Sequence, residues 1–327
     1  MSASIPASDQ RFAVLTALAA NVAIAIAKLG AAAVTGSSAM LAESLHSLAD
    51  SVNEVLLLVG ARRSRRPADV RHPFGHARYR YVYAYVVSLT VFWVGGVLAV
   101  IEGLAHLEKP EALVDPRWAF AVLALAAALE GWSLRTTLRT SRSTRGALSW
   151  KRFIRVTKAP ELIVVFLEDL GALIGIGIAL IGISLTTLTG NGTWDALASI
   201  GIGILLAGIG LVVNRETQSL LVGESASDEV VAAIREAIAG TDGVEAVIDL
   251  RTIHVGPDDL VVAAGIAVDP TQYASGVTRA IAEAEVRIRA VTPYRTLIYL
   301  EPRLGPAAEG PPEASTVGID VGGTPTG

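Results

Sequence analysis

Long apolar runs alternate with short polar loops over the first two thirds of the chain. A bilayer crossing needs about 20 mostly apolar residues, and six segments approach that length. They cover residues 12–34, 39–60, 81–106, 117–135, 161–187 and 194–213. Polar side chains interrupt the second segment, but the polar sequences TGSS (35–38) and ARRSRR (61–66) bracket it at spanning length. The pattern predicts an all-α membrane domain of six transmembrane helices over residues 11–213.

The character of the sequence changes after residue 213. Residues 228–239 have helical spacing of apolar side chains, with Asp228 as the expected N-cap. Two strand-like runs joined by the turn sequence GPDD, a second helix and a last strand follow at 244–255, 260–268, 275–291 and 296–302. This αββαβ order predicts a small α+β domain over residues 214–303. Residues 304–327 hold six Gly and four Pro and are predicted to be a disordered tail.

Basic residues are distributed unevenly between the loops. Segments 61–80 and 135–160 carry seven and eight Lys or Arg residues, whereas the alternate loops together carry two. Basic loops remain on the cytoplasmic side of a membrane. We therefore expect an integral membrane protein with six spans, in lipid contact, in the plasma membrane. The N-terminal segment 1–10 and the α+β domain are both expected in the cytoplasm.

Composition narrows the possible classes of function. Charged residues make up 18% of the chain, below the roughly 25% of a soluble domain. There is no cysteine, which excludes disulfides, thiolate zinc sites, cysteine-ligated iron–sulfur clusters and a cysteine nucleophile. The net charge of −4 leaves no basic footprint for nucleic acid. No zinc-protease, nucleophile-elbow or P-loop motif occurs, so we expect neither an enzyme nor an organic cofactor.

Polar side chains inside the predicted spans are the candidates for chemistry, because each charge at the bilayer centre costs roughly 2.5–3.5 kcal/mol. In the second span, Glu43, His46, Asp50 and Asn53 follow at intervals of three, four and three, which places them on one helix face. The i, i+4 spacing of His46 and Asp50 allows an imidazole nitrogen and a carboxylate oxygen to share one cation.

Two adjacent carboxylates, Glu168 and Asp169, lie in the middle of the fifth span. They repel each other and require a cation or a proton. A divalent ion such as Zn²⁺, which accepts mixed imidazole and carboxylate ligands, could bind between the two helices. Because these ligands lose protons when they bind metal, the pattern predicts a cation/proton exchanger with the metal ligands His46, Asp50, Asp169 and Glu168.

Structural interpretations remain open. His46 and Asp50 could form a helix–helix hydrogen bond, with Glu168 or Asp169 a neutral buried acid. Lys28 is expected to have a structural role, and a further pair, His72 and His76, is expected to position the loop before the third span. Supporting or proton-pathway roles are predicted for Glu43, Asn53 and Asn21, and a cytoplasmic metal-ligand role, weighed against a structural one, for His254.

Several segments in order resemble the cation diffusion facilitator family. TGSSAMLAESLHSLADSVNE resembles its second-span signature, and RHPFGHARYRYVYAYV the loop entering the third span. LEGWSLRTTLR, FLEDLGALIGIGIALIGI, TWDALASIGIGILLAGIGLVV and SLLVGESA follow in the family's order, so the resemblance covers about residues 10–303. The HPFGH and LED motifs are most similar to the zinc transporter 9-like branch.

The resemblance implies a homodimeric exporter that moves Zn²⁺ or a related divalent ion out of the cytoplasm in exchange for protons. It also implies that the α+β segment is a metallochaperone-like domain. By position, His46 and Asp50 match the second-span ligands and Asp169 the fifth-span aspartate.

The fifth span departs from the family pattern, since Val165 stands where zinc members carry histidine. Glu168 is expected to replace that ligand only if its helix rotates or kinks. The harder donor set could shift selectivity toward Fe²⁺, Mn²⁺ or Co²⁺. A membrane-bound metal sensor or scaffold acting through its cytoplasmic domain is the alternative to transport.

Overall fold

The computed structural model describes residues 7–146, 149–150, 153–154 and 157–304. The predicted tail beyond residue 304 and the first six residues of the N-terminal segment lie outside this range. The described chain divides into two compact units. One is built on the residues up to Glu224 together with 254–257, and the other on 225–253 and the residues from Asp258 onward.

The described residues of the first unit form six long helices. They are α1 (Ala7–Thr35), α2 (Ser38–Ser64), α3 (Tyr79–Glu108), α4 (Arg117–Arg145), α5 (Pro160–Thr189) and α6 (Thr193–Val222). Each predicted span lies within one of these helices. Four of them, α3 to α6, are long and apolar enough to cross a membrane. The predicted boundary at residue 213 falls inside α6, which continues for nine more residues.

The outer surface of this unit is apolar. Large side chains on different helices are well exposed, including Ile26, Trp132, Ile181 and Ile204, each between 63% and 71%. Between the helices the buried side chains are mostly alanine, isoleucine, leucine and serine. An apolar exterior around a closely packed interior is what a lipid environment requires.

Helix α3 contains a π-helical stretch, Val91–Val97, which the sequence did not predict. The stretch includes Gly96, where an added Cβ would lie 2.7 Å from the backbone nitrogen of Ala207 on α6. Gly203 on α6 is equally close to α3, since an added Cβ would lie 2.7 Å from the Gly96 carbonyl oxygen. Small residues thus allow the backbones of α3 and α6 to approach closely.

The start of α2 is fixed by the chain itself and by α6. Gly36 has φ +69°, a left-handed conformation that favours glycine, and separates α1 from α2. Ser37 is the N-cap, and its side chain accepts a hydrogen bond from the Met40 amide at 3.0 Å. The carboxylate of Asp195, in the first turn of α6, accepts further hydrogen bonds from this end of α2.

The second unit is a small α+β fold. Its elements are α7 (Asp228–Ala239), β1 (Val244–Gly256), β2 (Asp259–Val268), α8 (Ala274–Val291) and β3 (Arg295–Leu304). The sheet order is β1-β2-β3, and β2 pairs with β3 in parallel register, with Val262 opposite Ile298. The parallel pair needs a crossover, and α8 supplies it.

The core of this unit forms between the helices and one face of the sheet. Ile234 and Ile238 of α7, Ile288 of α8 and Val262 and Ile266 of β2 are all fully buried there. The N-cap of α7 is Ser227 rather than the predicted Asp228. The Ser227 hydroxyl accepts the Val230 amide, and Asp228 is the first helical residue, where its charge favours the helix dipole.

Candidate metal site

An acidic cavity of about 620 Å³ lies between α1, α2, α4 and α5. Its carboxylates come from three helices: Asp50 and Glu54 from α2, Glu130 from α4, and Glu168 and Asp169 from α5. Arg80 and Glu161, which form an ion pair, also line it. The surroundings are otherwise largely apolar. Such a concentration of acids inside an apolar helix bundle calls for cations or protons.

Helix α2 contributes a row of buried polar atoms. The described residues provide no hydrogen-bond partner for Glu43 Oε1, either ring nitrogen of His46, Asp50 Oδ1 or Asn53 Oδ1. His46 Nδ1 lies 3.4 Å from Asp50 Oδ1. An unsatisfied buried polar atom costs about 1–3 kcal/mol. These polar atoms on one helix face are candidates for binding a cation, a proton or water.

The two carboxylates of α5 face different helices. Glu168 faces α2, since its Oε1 accepts a hydrogen bond from Asn53 Nδ2 at 2.7 Å. Asp169 faces α4, where it accepts hydrogen bonds from Ser133 at 2.9 Å and Thr137 at 2.7 Å. Glu168 therefore reaches α2 in the structure as it stands.

The predicted ligands are neighbours but do not surround a single point. Among the described residues, His46, Asp50, Glu168 and Asp169 do not form a group of three whose ligand atoms all lie within 4.8 Å of one another. The hydrogen bonds from Asn53 and from Ser133 and Thr137 hold the α5 carboxylates apart.

The supporting residues on α1 and α2 have definite partners. Asn21 donates to Glu54 at 3.1 Å. Glu43 forms a fully buried ion pair with Lys28, whose ammonium also donates to Ser47 at 2.8 Å. The structural role expected for Lys28 thus has a specific partner. Helical periodicity did not predict this partner, because it relates positions only within one helix.

The loop between α2 and α3 holds a second group of potential ligands, of which His72 and His76 were predicted to position the loop. Ligand atoms of Asp69, His72 and His76 all lie within 4.8 Å of one another. His72 Nδ1 is 3.1 Å and His76 Nε2 3.5 Å from the Asp69 carboxylate. His76 Nδ1 also lies 3.0 Å from the Pro67 carbonyl oxygen, so this histidine does position the loop. The sequence spacing D-x-x-H-x-x-x-H is the pattern from which this cluster could have been predicted.

His254 lies in β1 and is fully buried. Burial, together with the positive charge of Lys158, lowers the pKa of its imidazole to about 4. The described residues bring no group of three potential ligands together at His254. A nearby ammonium also disfavours a metal cation, so the site proposal does not include this residue.

The sequence model of the cation efflux transmembrane domain matches residues 14–222. The chain belongs to the cation efflux family. This membership confirms the resemblance noted from the motifs, and the family consists of transporters, not enzymes. The chain is thus an integral membrane protein with at least four candidate spans among its described residues.

Relatives support the predicted branch. The chain is 30% identical over 231 residues to the proton-coupled zinc antiporter SLC30A9, mitochondrial, of Xenopus laevis, covering 70% of this chain and 41% of that protein. It is 26% identical over 259 residues to the magnetosome protein MamM of Magnetospirillum gryphiswaldense, covering 77% of this chain and 75% of MamM. The cation-efflux pump FieF of Serratia proteamaculans is 29% identical over 225 residues, 68% of this chain and 69% of FieF. The chain spans about two fifths of the length of the SLC30A9 relatives.

Proposed function

We propose that this cation efflux family member exports a divalent metal cation, Zn²⁺ in the first place, from the cytoplasm in exchange for protons. The observation that carries the proposal is the set of buried polar atoms on His46, Asp50 and Asn53 of α2 for which the described residues provide no hydrogen-bond partner. Acceptor atoms without donors are suited to bind a cation or a proton. The similarity to proton-coupled zinc antiporters favours Zn²⁺ and proton exchange.

In this proposal His46 and Asp50 of α2 and Glu168 of α5 are the ligands. Glu168 is favoured because its carboxylate already contacts α2 through Asn53. Asp169, which Ser133 and Thr137 hold on α4, supplies a second α5 carboxylate when the ion is bound. Since imidazole and carboxylate must lose protons to bind a metal, departure of the ion allows protons to take its place.

A transporter selective for Fe²⁺, Mn²⁺ or Co²⁺ is the second candidate. It is favoured by Val165, an apolar side chain that lines the cavity where a second histidine would soften the donor set. One imidazole with two or three carboxylates is a harder site than two of each. The absence of cysteine removes the softest ligand altogether.

The topology and assembly are part of the proposal. Helices α1 and α2, at 29 and 27 residues, are as long as the candidate spans, and α2 owes its polarity to the site itself. Six crossings then place both termini and the α+β unit on the side of the basic loops, the cytoplasm. We propose a homodimer in the plasma membrane.

The test is metal-driven proton movement in liposomes that contain the purified full chain. A Zn²⁺ gradient should drive proton flux, and His46→Ala and Asp50→Ala should each abolish it. His106→Ala is the matched control, because His106 pairs with Glu102 at the far end of α3, away from the cavity. Unchanged flux in both site variants would refute the site. Faster flux with Mn²⁺ or Fe²⁺ than with Zn²⁺ would favour the second candidate.

The same experiment separates transport from sensing. A metal sensor or scaffold acting through its cytoplasmic unit would bind Zn²⁺ without any flux through the helices. Flux that depends on His46 and Asp50 excludes that alternative.

A further inference from the structure

Lys28 is the one lysine or arginine among the buried residues that the structure describes. It lies on α1, and its side chain is 0% exposed. The ammonium Nζ is 2.9 Å from Glu43 Oε2 and 2.8 Å from Ser47 Oγ, both on α2. The ion pair therefore joins α1 to the face of α2 that carries His46.

The position of the ion pair relates it to the acidic site. Ser47 follows His46 in sequence, and Glu43 lies one helical turn before it. Ser47, which accepts a hydrogen bond from Lys28, lines the cavity together with Asp50, Glu130 and Glu168. The ammonium is therefore held at the edge of the acidic cavity, and Glu43 supplies its paired negative charge.

The other carboxylate oxygen of Glu43 is closed in by α5. Glu43 Oε1 contacts Gly175 so closely that the position has no room for a Cβ. With Oε2 bound to Lys28 and Oε1 against α5, Glu43 is held away from the ligand set. Its carboxylate instead holds the Lys28 ammonium beside the acidic cavity.

Stability alone does not account for such a pair. A buried ion pair is often no more stable than apolar residues of the same volume, because both charges lose their hydration. Within a membrane the cost of each charge is larger still, and ionisable residues there mark functional sites. We therefore look for the role of the Lys28–Glu43 ion pair in the effect of its charges on the neighbouring acidic cavity.

We propose that Lys28, anchored by Glu43 and Ser47, is a fixed counter-charge that weakens the affinity of the acidic site for a divalent cation, so that the bound ion is released. The proposal rests on the proposed function. A fixed positive charge inside a low-dielectric bundle raises the free energy of a dication bound nearby. The same charge lowers the energy of the ion-free site by offsetting its carboxylates. Both effects favour release.

Zn²⁺ binding to the purified full chain in detergent, measured by titration calorimetry, tests this proposal. Lys28→Met removes the charge and keeps most of the volume, and we expect its dissociation constant to fall about tenfold. Lys28→Arg keeps the charge and should remain within about threefold of wild type. Glu43→Gln leaves the positive charge unbalanced and should weaken binding by about tenfold. The double variant Lys28→Met/Glu43→Gln loses both charges and should still bind Zn²⁺ more tightly than wild type, though less tightly than Lys28→Met, because the ammonium is the charge beside the site.

A structural role of the ion pair predicts a different pattern. It predicts that all single variants lose thermal stability and that none binds Zn²⁺ more tightly. Unchanged or weaker binding by a folded Lys28→Met variant would overturn the counter-charge. If Lys28→Met fails to fold, the proposal is overturned by stronger binding in Glu43→Gln. A double variant that binds Zn²⁺ no more tightly than wild type would overturn it as well. A wild-type chain that binds no divalent ion would overturn the proposed function and the counter-charge together, whereas wild-type binding with unaltered Lys28→Met affinity refutes the counter-charge alone.

Discussion

The Asp195 carboxylate on α6 accepts the backbone amide of Ser38, the first residue of α2, at 2.6 Å. The same carboxylate also accepts the hydroxyls of Ser37 and Ser38 and the amide of Ala39. Asp195 thus performs for α2 what a local N-cap does for most helices. Its charge also lies at the positive end of the α2 dipole. The helix that carries the proposed ligands His46 and Asp50 is therefore held at its start by a residue 157 positions away.

Asp195→Ala should destabilise the helical unit by about 3 kcal/mol, because each buried donor left without an acceptor costs about 1–3 kcal/mol. Thermal unfolding of the detergent-solubilised chain would show this as a lower Tm. Asp195→Asn retains one carbonyl oxygen as an acceptor, so it should lose about half as much stability as Asp195→Ala. Asp228→Ala, at an exposed first turn, is the control and should change Tm little. Equal Tm values for Asp195→Ala and wild type would contradict the prediction.

The two adjacent carboxylates of α5 should respond differently to neutralisation. Glu168→Gln should weaken Zn²⁺ binding by about a hundredfold, as expected for the loss of a charged ligand. Asp169→Asn should have a smaller effect, because Ser133 and Thr137 can still donate to the remaining oxygen. Titration of each variant with Zn²⁺ measures the difference. If Asp169→Asn weakens Zn²⁺ binding more than Glu168→Gln does, Asp169 is the main α5 ligand, as the family resemblance implies.

Two glycines of α5 form a matched pair for packing. Gly175→Ala places a methyl group against the Glu43 carboxylate and should destabilise the chain by about 1–3 kcal/mol, the usual cost of overpacking. Gly177 has open space around an added Cβ, so Gly177→Ala should be neutral or stabilise the helix by about 0.5–1 kcal/mol. Thermal unfolding distinguishes them. A Gly175→Ala variant as stable as Gly177→Ala would place Glu43 elsewhere.

His254 should make the chain sensitive to acid. Burial and the charge of Lys158 lower its pKa to about 4, whereas an unfolded histidine titrates near 6.5. Between these values the unfolded chain binds a proton that the folded chain excludes, so stability falls as pH falls through this window and is fully present above it. Tm measured from pH 7 to pH 5 should decrease more steeply for wild type than for His254→Gln. Parallel curves of Tm against pH for the two proteins would show that His254 does not contribute to the acid sensitivity.

The loop cluster should bind a metal ion independently of the cavity. Asp69, His72 and His76 provide three donors, the number of protein ligands in many open zinc sites. Equilibrium dialysis with Zn²⁺ should therefore find one bound ion fewer in His72→Asn than in wild type, while His46→Ala retains the loop ion. His106→Asn, which removes a histidine paired with only one carboxylate, should leave the stoichiometry unchanged. If His72→Asn binds as many Zn²⁺ ions as wild type, the cluster positions the loop and does not bind a metal ion.

Much of the fold was accessible from hydrophobic periodicity. All six predicted segments lie within single helices, and the predicted strand 260–268 differs from β2 by one residue. These elements are decided by local patterns and by the length needed to cross a bilayer. The π-helical stretch in α3 was not predictable, because apolar periodicity does not distinguish a π-helical turn from the α-helix around it.

The site was predictable only in part for the same reason. Spacing placed His46, Asp50 and Asn53 on one face of α2, and the structure keeps them there. Which α5 carboxylate faces α2 depends on a hydrogen bond between residues 115 positions apart, Asn53 and Glu168. The partner of Lys28 likewise depends on how α1 packs against α2. Such pairings are set by tertiary packing, and helical periodicity contains no information about them.

The charge balance at the cavity has a kinetic consequence. Arg80 is paired with Glu161, so the one arginine in the lining presents little net repulsion to an arriving cation. The remaining carboxylates in an apolar enclosure focus a negative potential that raises the local concentration of divalent ions. Ion capture should therefore be fastest in dilute buffer and slow as monovalent salt is added. The cavity would then determine how often ions arrive as well as how tightly they are held.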